Sequence, residues 1–207
     1  MKNRILPLVA LAAVLCGCPQ ENHVGPEFLA ICANPEPDTG GCIYSSTCDA
    51  IALFNYQYDP AVAPDLLVPI EIFNQLVDNS DPSSGRLNTN DAVIQQWRFE
   101  YWYGGVMVNT AAANQTLVVP ASSHAVGLVP VIPAELNGWA SAMPPGDIVV
   151  DVRAAGRYAD ERYFETGPFR VPVGVTTYVP YFCTAPDVLR ACPQIGQSGT
   201  YACVTPP

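Results

Sequence analysis

Ala92-Val93-Ile94-Gln95-Gln96-Trp97-Arg98-Phe99-Glu100-Tyr101-Trp102-Tyr103 is the stretch on which the fold turns. Val93, Trp97, Phe99, Tyr101 and Tyr103 share one parity, and Gln96, Arg98 and Glu100 share the other. Side chains of a strand point alternately to its two faces, so this period of two predicts a half-buried strand with an aromatic inner face. Trp102 falls on the opposite face from Trp97, among the polar residues.

The same pattern recurs outward from this strand. Ile148, Val150, Val152 and Ala154 alternate with Val149, Asp151 and Arg153; Gly156 to Glu161 then turns, and Arg162 to Val175 continues extended, which predicts a hairpin. Ile51 to Tyr56, Leu66 to Phe73, Gln115 to Val119 and Ala125 to Ile132 supply further candidate strands. They are separated by turn-rich pieces at Asp78 to Asn90 and Asn137 to Gly146. Ile70, Phe73 and Val77 would also line a helix begun at Pro69, but the β-branched content and the lack of a C-terminal stop favour a strand. With 21 prolines in 207 residues, long helices are disfavoured. About seven strands over residues 50 to 180, without βαβ alternation or a repeat, predict an all-β chain with a single antiparallel β-sandwich.

Apolar residues make up 49% of the chain and charged ones 14%, enough to bury a core. The net charge of −10 argues against nucleic acid, whose phosphates need a basic surface. Lys2 and Arg4 precede a mostly apolar run from Ile5 to Leu15, too short for the ~20 residues that span a bilayer. Residues 1 to 17 are therefore expected to be a signal peptide. Leu15-Cys16-Gly17-Cys18 resembles the lipobox of bacterial lipoproteins, with Leu15 at −3 and the small Gly17 at −1. The resemblance implies acylation of Cys18 after cleavage, and residence in the cell envelope. Cys16 at −2 departs from the usual pattern, and Cys16 as acceptor would put the bulky Leu15 at −1.

Removing residues 1 to 17 takes away Lys2 and Arg4, two of the nine basic groups, and leaves seven against 19 acids, a charge of −12. No lysine remains. Seven arginines form no polybasic patch, so membrane contact would rest on the acyl chains. Residues 18 to 31, with Gly25-Pro26 inside them, show no periodicity and are expected to act as a tether.

Six further cysteines lie in two groups: Cys32, Cys42 and Cys48 in a segment over residues 32 to 49, and Cys183, Cys192 and Cys203 in a tail over residues 181 to 207. An even number in an exported chain predicts disulfides, and the spacings suit zinc poorly. Three cysteines cannot all pair within their own group. Every one of the 15 full pairings therefore joins the two ends at least once, nine by a single bridge and six by three. Closing a loop of more than 100 residues stabilises by about 4 to 5 kcal/mol on the chain-entropy model. The tail is expected to be stapled to the domain.

A Trp-bearing aromatic strand followed by a late hairpin resembles immunoglobulin-like and fibronectin-III-like domains carried by bacterial lipoproteins. The inter-sheet disulfide of that family has no counterpart, because no cysteine lies between Cys48 and Cys183. The resemblance implies a domain that binds an envelope partner or acts as a spacer. Catalytic motifs are absent: Ser122-Ser123-His124 is not a triad by sequence adjacency, and no nucleophile elbow, P-loop or H-E-x-x-H occurs. Asp151, Asp160, Glu161 and Glu165 fall in one hairpin, where they are expected to form a solvated surface with Arg153, Arg157 and Arg162. No cofactor is implied, although the oxygen-rich loop from Asp78 and Asp81 to Asn88, Asn90 and Asp91 has ligands of the kind calcium prefers. Trp102 is the candidate binding residue, placed to stack on a sugar or anchor a protein. The expectation is a non-catalytic, lipid-anchored envelope protein that binds an envelope protein or glycan or acts structurally; the alternative is an envelope enzyme or accessory subunit using acidic loop residues.

Overall fold

A computed structural model describes residues 25–32, 48, 51, 56–61, 63–176, 188–192 and 197–204. Its strands are β1 (Pro26–Ile31), β2 (Tyr56–Tyr58), β3 (Leu66–Asn74), β4 (Ala92–Tyr103), β5 (Val106–Val119), β6 (Ser123–Ile132), β7 (Gly146–Tyr158), β8 (Tyr163–Glu165), β9 (Phe169–Val175), β10 (Val188–Cys192) and β11 (Gln197–Val204). β1, β3 and β6 form one sheet in that order. A larger sheet runs β2-β9-β7-β4-β5, with β8 also paired to β7. The two sheets pack together, and β10 and β11 pair with each other, with β11 running beside β3 and β2. All pairs are antiparallel except β2 with β9, which corrects the purely antiparallel expectation. These two short strands lie far apart in sequence, so no hairpin turn imposes their direction.

β4 occupies the residues expected of it, but its alternation changes phase midway. Ala92 and Ile94 are buried, and so are Trp97, Phe99 and Tyr101. The register against both neighbours slips between Ile94 and Gln96: against β7 Gln95 is an extra residue, whereas against β5 the extra residue is on β5, at Gln115–Thr116. A bulge of this kind lets two residues oppose one and reverses the parity that follows. Val93 is consequently on the outer face, contrary to the simple period-two reading. Gly156 of β7 lies against the bulge; a Cβ there would collide with the Val93 carbonyl and the Ile94 Cα.

The core lies between the sheets. Leu66, Val68, Ile70 and Ile72 of β3 and Val129 and Val131 of β6 meet Trp97, Phe99, Tyr101, Ile148, Val150, Val152, Val171 and Val173 of the large sheet. Burying each such side chain contributes roughly 1.5–3 kcal/mol. Gly127 of β6 lies 3.7 Å, measured from where its Cβ would be, from the Trp97 ring, so the ring can press against the opposite sheet. Two polar side chains in this layer bond to carbonyls: the Tyr101 hydroxyl donates to the Val131 carbonyl at 2.9 Å, and the Asn74 amide donates to the carbonyls of Asn90 (2.8 Å) and Val119 (3.0 Å). The bonds to Val131 and Val119 join the sheets, and all three satisfy groups that would otherwise be costly to bury.

Several boundaries differ from expectation. Pro26–Ile31 is not tether but strand β1: it pairs with β3, and Phe28 stacks on Phe169 with ring centroids 5.1 Å apart. Ile51 makes an isolated bridge to Cys32 and Tyr56–Tyr58 forms β2; residues 52–55 of the expected strand lie outside the described residues. β5 begins at Val106, well before Gln115, because Gly104 and Gly105, with φ of 57° and 81°, make the two-residue turn that returns the chain from β4. Positive φ at both central positions is the signature of a tight type I′ hairpin. β7 continues to Tyr158, through what reads as a turn, and its partner is split into β8 and β9. Within Asn137 to Gly146 the chain forms a short helix, Asn137–Ala142, whose first side chain donates to the Tyr58 hydroxyl and to the carbonyls of Pro60 and Ala63.

Candidate functional site

The outer face of the large sheet carries the residues that the inner face excludes. Along β4 these are Gln96, Arg98, Glu100 and Trp102. Directly opposite on β7 stand Ala155, Arg153, Asp151 and Val149. At one end a cavity of about 330 Å³ is lined by Trp102, the Gly104–Gly105 turn, Asp147, Val149, Asp151 and Arg170. Trp102 is half-buried, and its indole nitrogen is shielded from solvent without a hydrogen-bond partner. Asp151 is 7% exposed, and Arg170 of β9 donates to its carboxylate at 3.2 Å, so the charge of this nearly buried acid is paired. The two glycines leave the rim beside Trp102 free of side chains.

A second cavity of about 340 Å³ lies at the other end of the same face, where Gln95 bulges out. Gln95, Gln96, Arg98, Asn114, Arg157 and Tyr163 are in its wall. A chain of hydrogen bonds crosses the strands here. Tyr163 and Arg98 both donate to Glu165 at 3.0 Å, Arg98 donates through Nε to Gln96 at 2.9 Å, and Gln96 reaches Asn114 on β5 at 3.5 Å. Ala155, small and buried, lets these side chains pass over β7. Desolvation, and then the neighbouring Glu165 carboxylate, hold the Tyr163 phenol above its ordinary value.

Of the residues singled out in the sequence, Trp102 and Asp151 line one cavity together, with Asp147 of β7 and Arg170 of β9. The four acids of the hairpin are each paired with arginine: Asp160 with Arg162 (2.6 Å), Glu161 with Arg157 (3.3 Å), Glu165 with Arg98 and Asp151 with Arg170. Two of those arginines, Arg98 and Arg170, come from other strands and were not legible as partners. His124 is on the outer side of the small sheet, where its Nδ1 lies 3.2 Å from Glu71 and its ring packs on Phe73. The Ser122 hydroxyl donates to the Leu76 carbonyl at 3.2 Å.

The Asp78 to Asp91 loop uses its oxygens to shape itself. Asp78 accepts from Ser80, Asp81 from Ser83 and Ser84, and Asp91 from Asn88 and the Ala121 amide. The backbone N–H of Ser80 and the hydroxyl of Ser83 head the interactions that hold Asp78 and Asp81 below the usual carboxylate range. Among the described residues no group of three or more acids, histidines and cysteines converges as a metal site.

Cys32 and Cys48 form a disulfide. Cys18, Cys42 and Cys183 lie outside the described residues; Cys192 and Cys203 end or lie within β10 and β11. Among the described residues no helix is long and apolar enough to cross a membrane. Compared with protein-family models and with curated proteins, the chain matches none. Asp147, Arg170, Tyr163 and the glycine turn were the parts of the site that sequence reading missed. Gly104-Gly105 between two apolar runs is a readable hairpin signal, and the register it sets brings Trp102 beside Met107 of β5.

Proposed function

We propose that this chain is an exported, lipid-anchored envelope protein whose β-sandwich binds a saccharide, without chemistry, on the outer face of its large sheet. The half-buried Trp102 in a cavity with Asp147, Asp151 and Arg170 carries this reading. A sugar ring presents an apolar C–H face for an indole and hydroxyls at its rim for carboxylates and a guanidinium. The lipobox-like Leu15-Cys16-Gly17-Cys18 supports anchoring at Cys18, and the Cys32–Cys48 disulfide fits an oxidising compartment. With those two joined, full pairing leaves Cys42 to bridge to Cys183, Cys192 or Cys203. The buried Trp97 on a central strand supports an immunoglobulin-like or fibronectin-III-like kinship at the level of two packed sheets; the parallel β2–β9 pair departs from it.

The test is calorimetric titration of the mature protein with N-acetylglucosamine and with glucose disaccharides, against Trp102→Ala. Saturable heat lost in the variant supports the reading. No binding, or binding unaffected by the substitution, overturns it, and sugar turnover would replace it with an enzyme. Mass spectrometry of the mature N-terminus tests the anchor: acylated Cys18 is expected, and an unmodified start elsewhere contradicts it.

A further inference from the structure

Between the two cavities the outer face of β4 and β7 is a ladder of like-charged rungs. Glu100 faces Asp151, and one rung further Arg98 faces Arg153. Like charges directly opposite each other on a sheet repel. Arg170 and Glu165 relieve this from outside, by pairing with Asp151 and Arg98. The result is a track that alternates acceptors with donors: Trp102 at one end, an acidic rung, a basic rung, then Gln96, Gln95 and Tyr163 at the other. Gln96 and Trp102 are six residues apart on one strand, roughly 20 Å at ~3.4 Å per residue.

We infer that this track is the binding groove of an extended, uncharged glycan chain with β-1,4 linkages, occupying both cavities at once; the inference rests on the saccharide reading of the Trp102 cavity. With Arg170 paired to Asp151 and Glu165 to Arg98, the first rung keeps one net negative charge and the second one net positive charge, so a polyanion is repelled at the first and a polycation at the second. Hydroxyl and amide groups both donate and accept, and can serve each rung in turn. The track follows one extended strand, β4. Equatorial β-1,4 linkages give a straight ribbon that exposes ring faces to Trp102 at one end and Tyr163 at the other, whereas α-linked chains coil away from such a surface. Tyr163 is 54% exposed and its hydroxyl is fixed by Glu165, so its ring is held in place and accessible.

The experiment is titration of the full mature protein with β-1,4-linked oligomers of N-acetylglucosamine and of glucose, from one to six units. Affinity is expected to rise by about tenfold or more between two and six units in at least one series. Tyr163→Ala and, separately, Gln95→Ala should remove that gain while leaving the disaccharide affinity unchanged. Affinity that does not grow with length, or a length gain insensitive to both substitutions, overturns the extended groove while the Trp102 site stands. Loss of disaccharide binding only in Trp102→Ala supports the underlying reading; no binding in either series overturns both. Tighter binding of a uronate polymer than of the neutral hexamers contradicts the charge assignment.

Discussion

Trp97 and Trp102 are five residues apart on one strand, and both have indole nitrogens shielded from solvent without a hydrogen-bond partner. Trp97 is fully buried, pressed between Phe28 of β1, with ring centroids 6.3 Å apart, and the glycine gap at Gly127. Trp102 faces the other way, beside acids, an arginine and a side-chain-free turn. Composition does not separate the two residues; parity does. An odd separation along a strand sends identical side chains to opposite faces, and here one face is a core while the other is a polar track.

Deleting Gln95 attacks that division most directly. It removes the bulge, so Ala92 and Ile94 or else Trp97, Phe99 and Tyr101 must face outward, and the cooperative thermal transition should be lost. A variant that still unfolds cooperatively near the wild-type Tm would show that the bulge does not set the two faces. Trp97→Ala should cost about 3 to 5 kcal/mol in urea unfolding through lost burial and a cavity. Removing the Cys32–Cys48 bridge, which closes a separation of 16 residues, should cost about 3 kcal/mol on the chain-entropy model. Because Cys32 sits by β3, donating its backbone N–H to the Pro69 carbonyl, that loss should leave saccharide affinity unchanged. Trp102→Ala should change stability by about 1 kcal/mol or less. A cost equal to that of Trp97→Ala would mean the two faces are energetically alike.

Much of this division was legible before any coordinates. The aromatic parity of Trp97, Phe99 and Tyr101 identified β4 and its inner face, and the alternation from Ile148 to Ala154 identified β7. Gln95 was not legible as a bulge, because two consecutive glutamines fit either parity and only pairing with β7 shows which is extra. Most of β5 was missed for a related reason: Asn109, Thr110 and Ala111 to Ala113 lack the β-branched apolar pattern of a strand, since an edge strand with much of its length exposed needs little of it. Trp102 could be named from its position, but its companions could not. Arg170 is reached through β9, and Asp147 lies five residues before Val152, so their meeting depends on a register that no local pattern encodes.

The division between the faces is tested most directly by the indole N–H signals in a proton–nitrogen NMR spectrum of the mature protein, assigned with Trp97→Phe and Trp102→Phe. During titration with a β-1,4-linked hexamer of N-acetylglucosamine or glucose, the Trp102 signal should move and saturate while the Trp97 signal stays fixed. A stationary Trp102 signal with both hexamers, or a Trp97 signal that moves in step with it, would contradict the assignment of core and binding surface to opposite faces of β4.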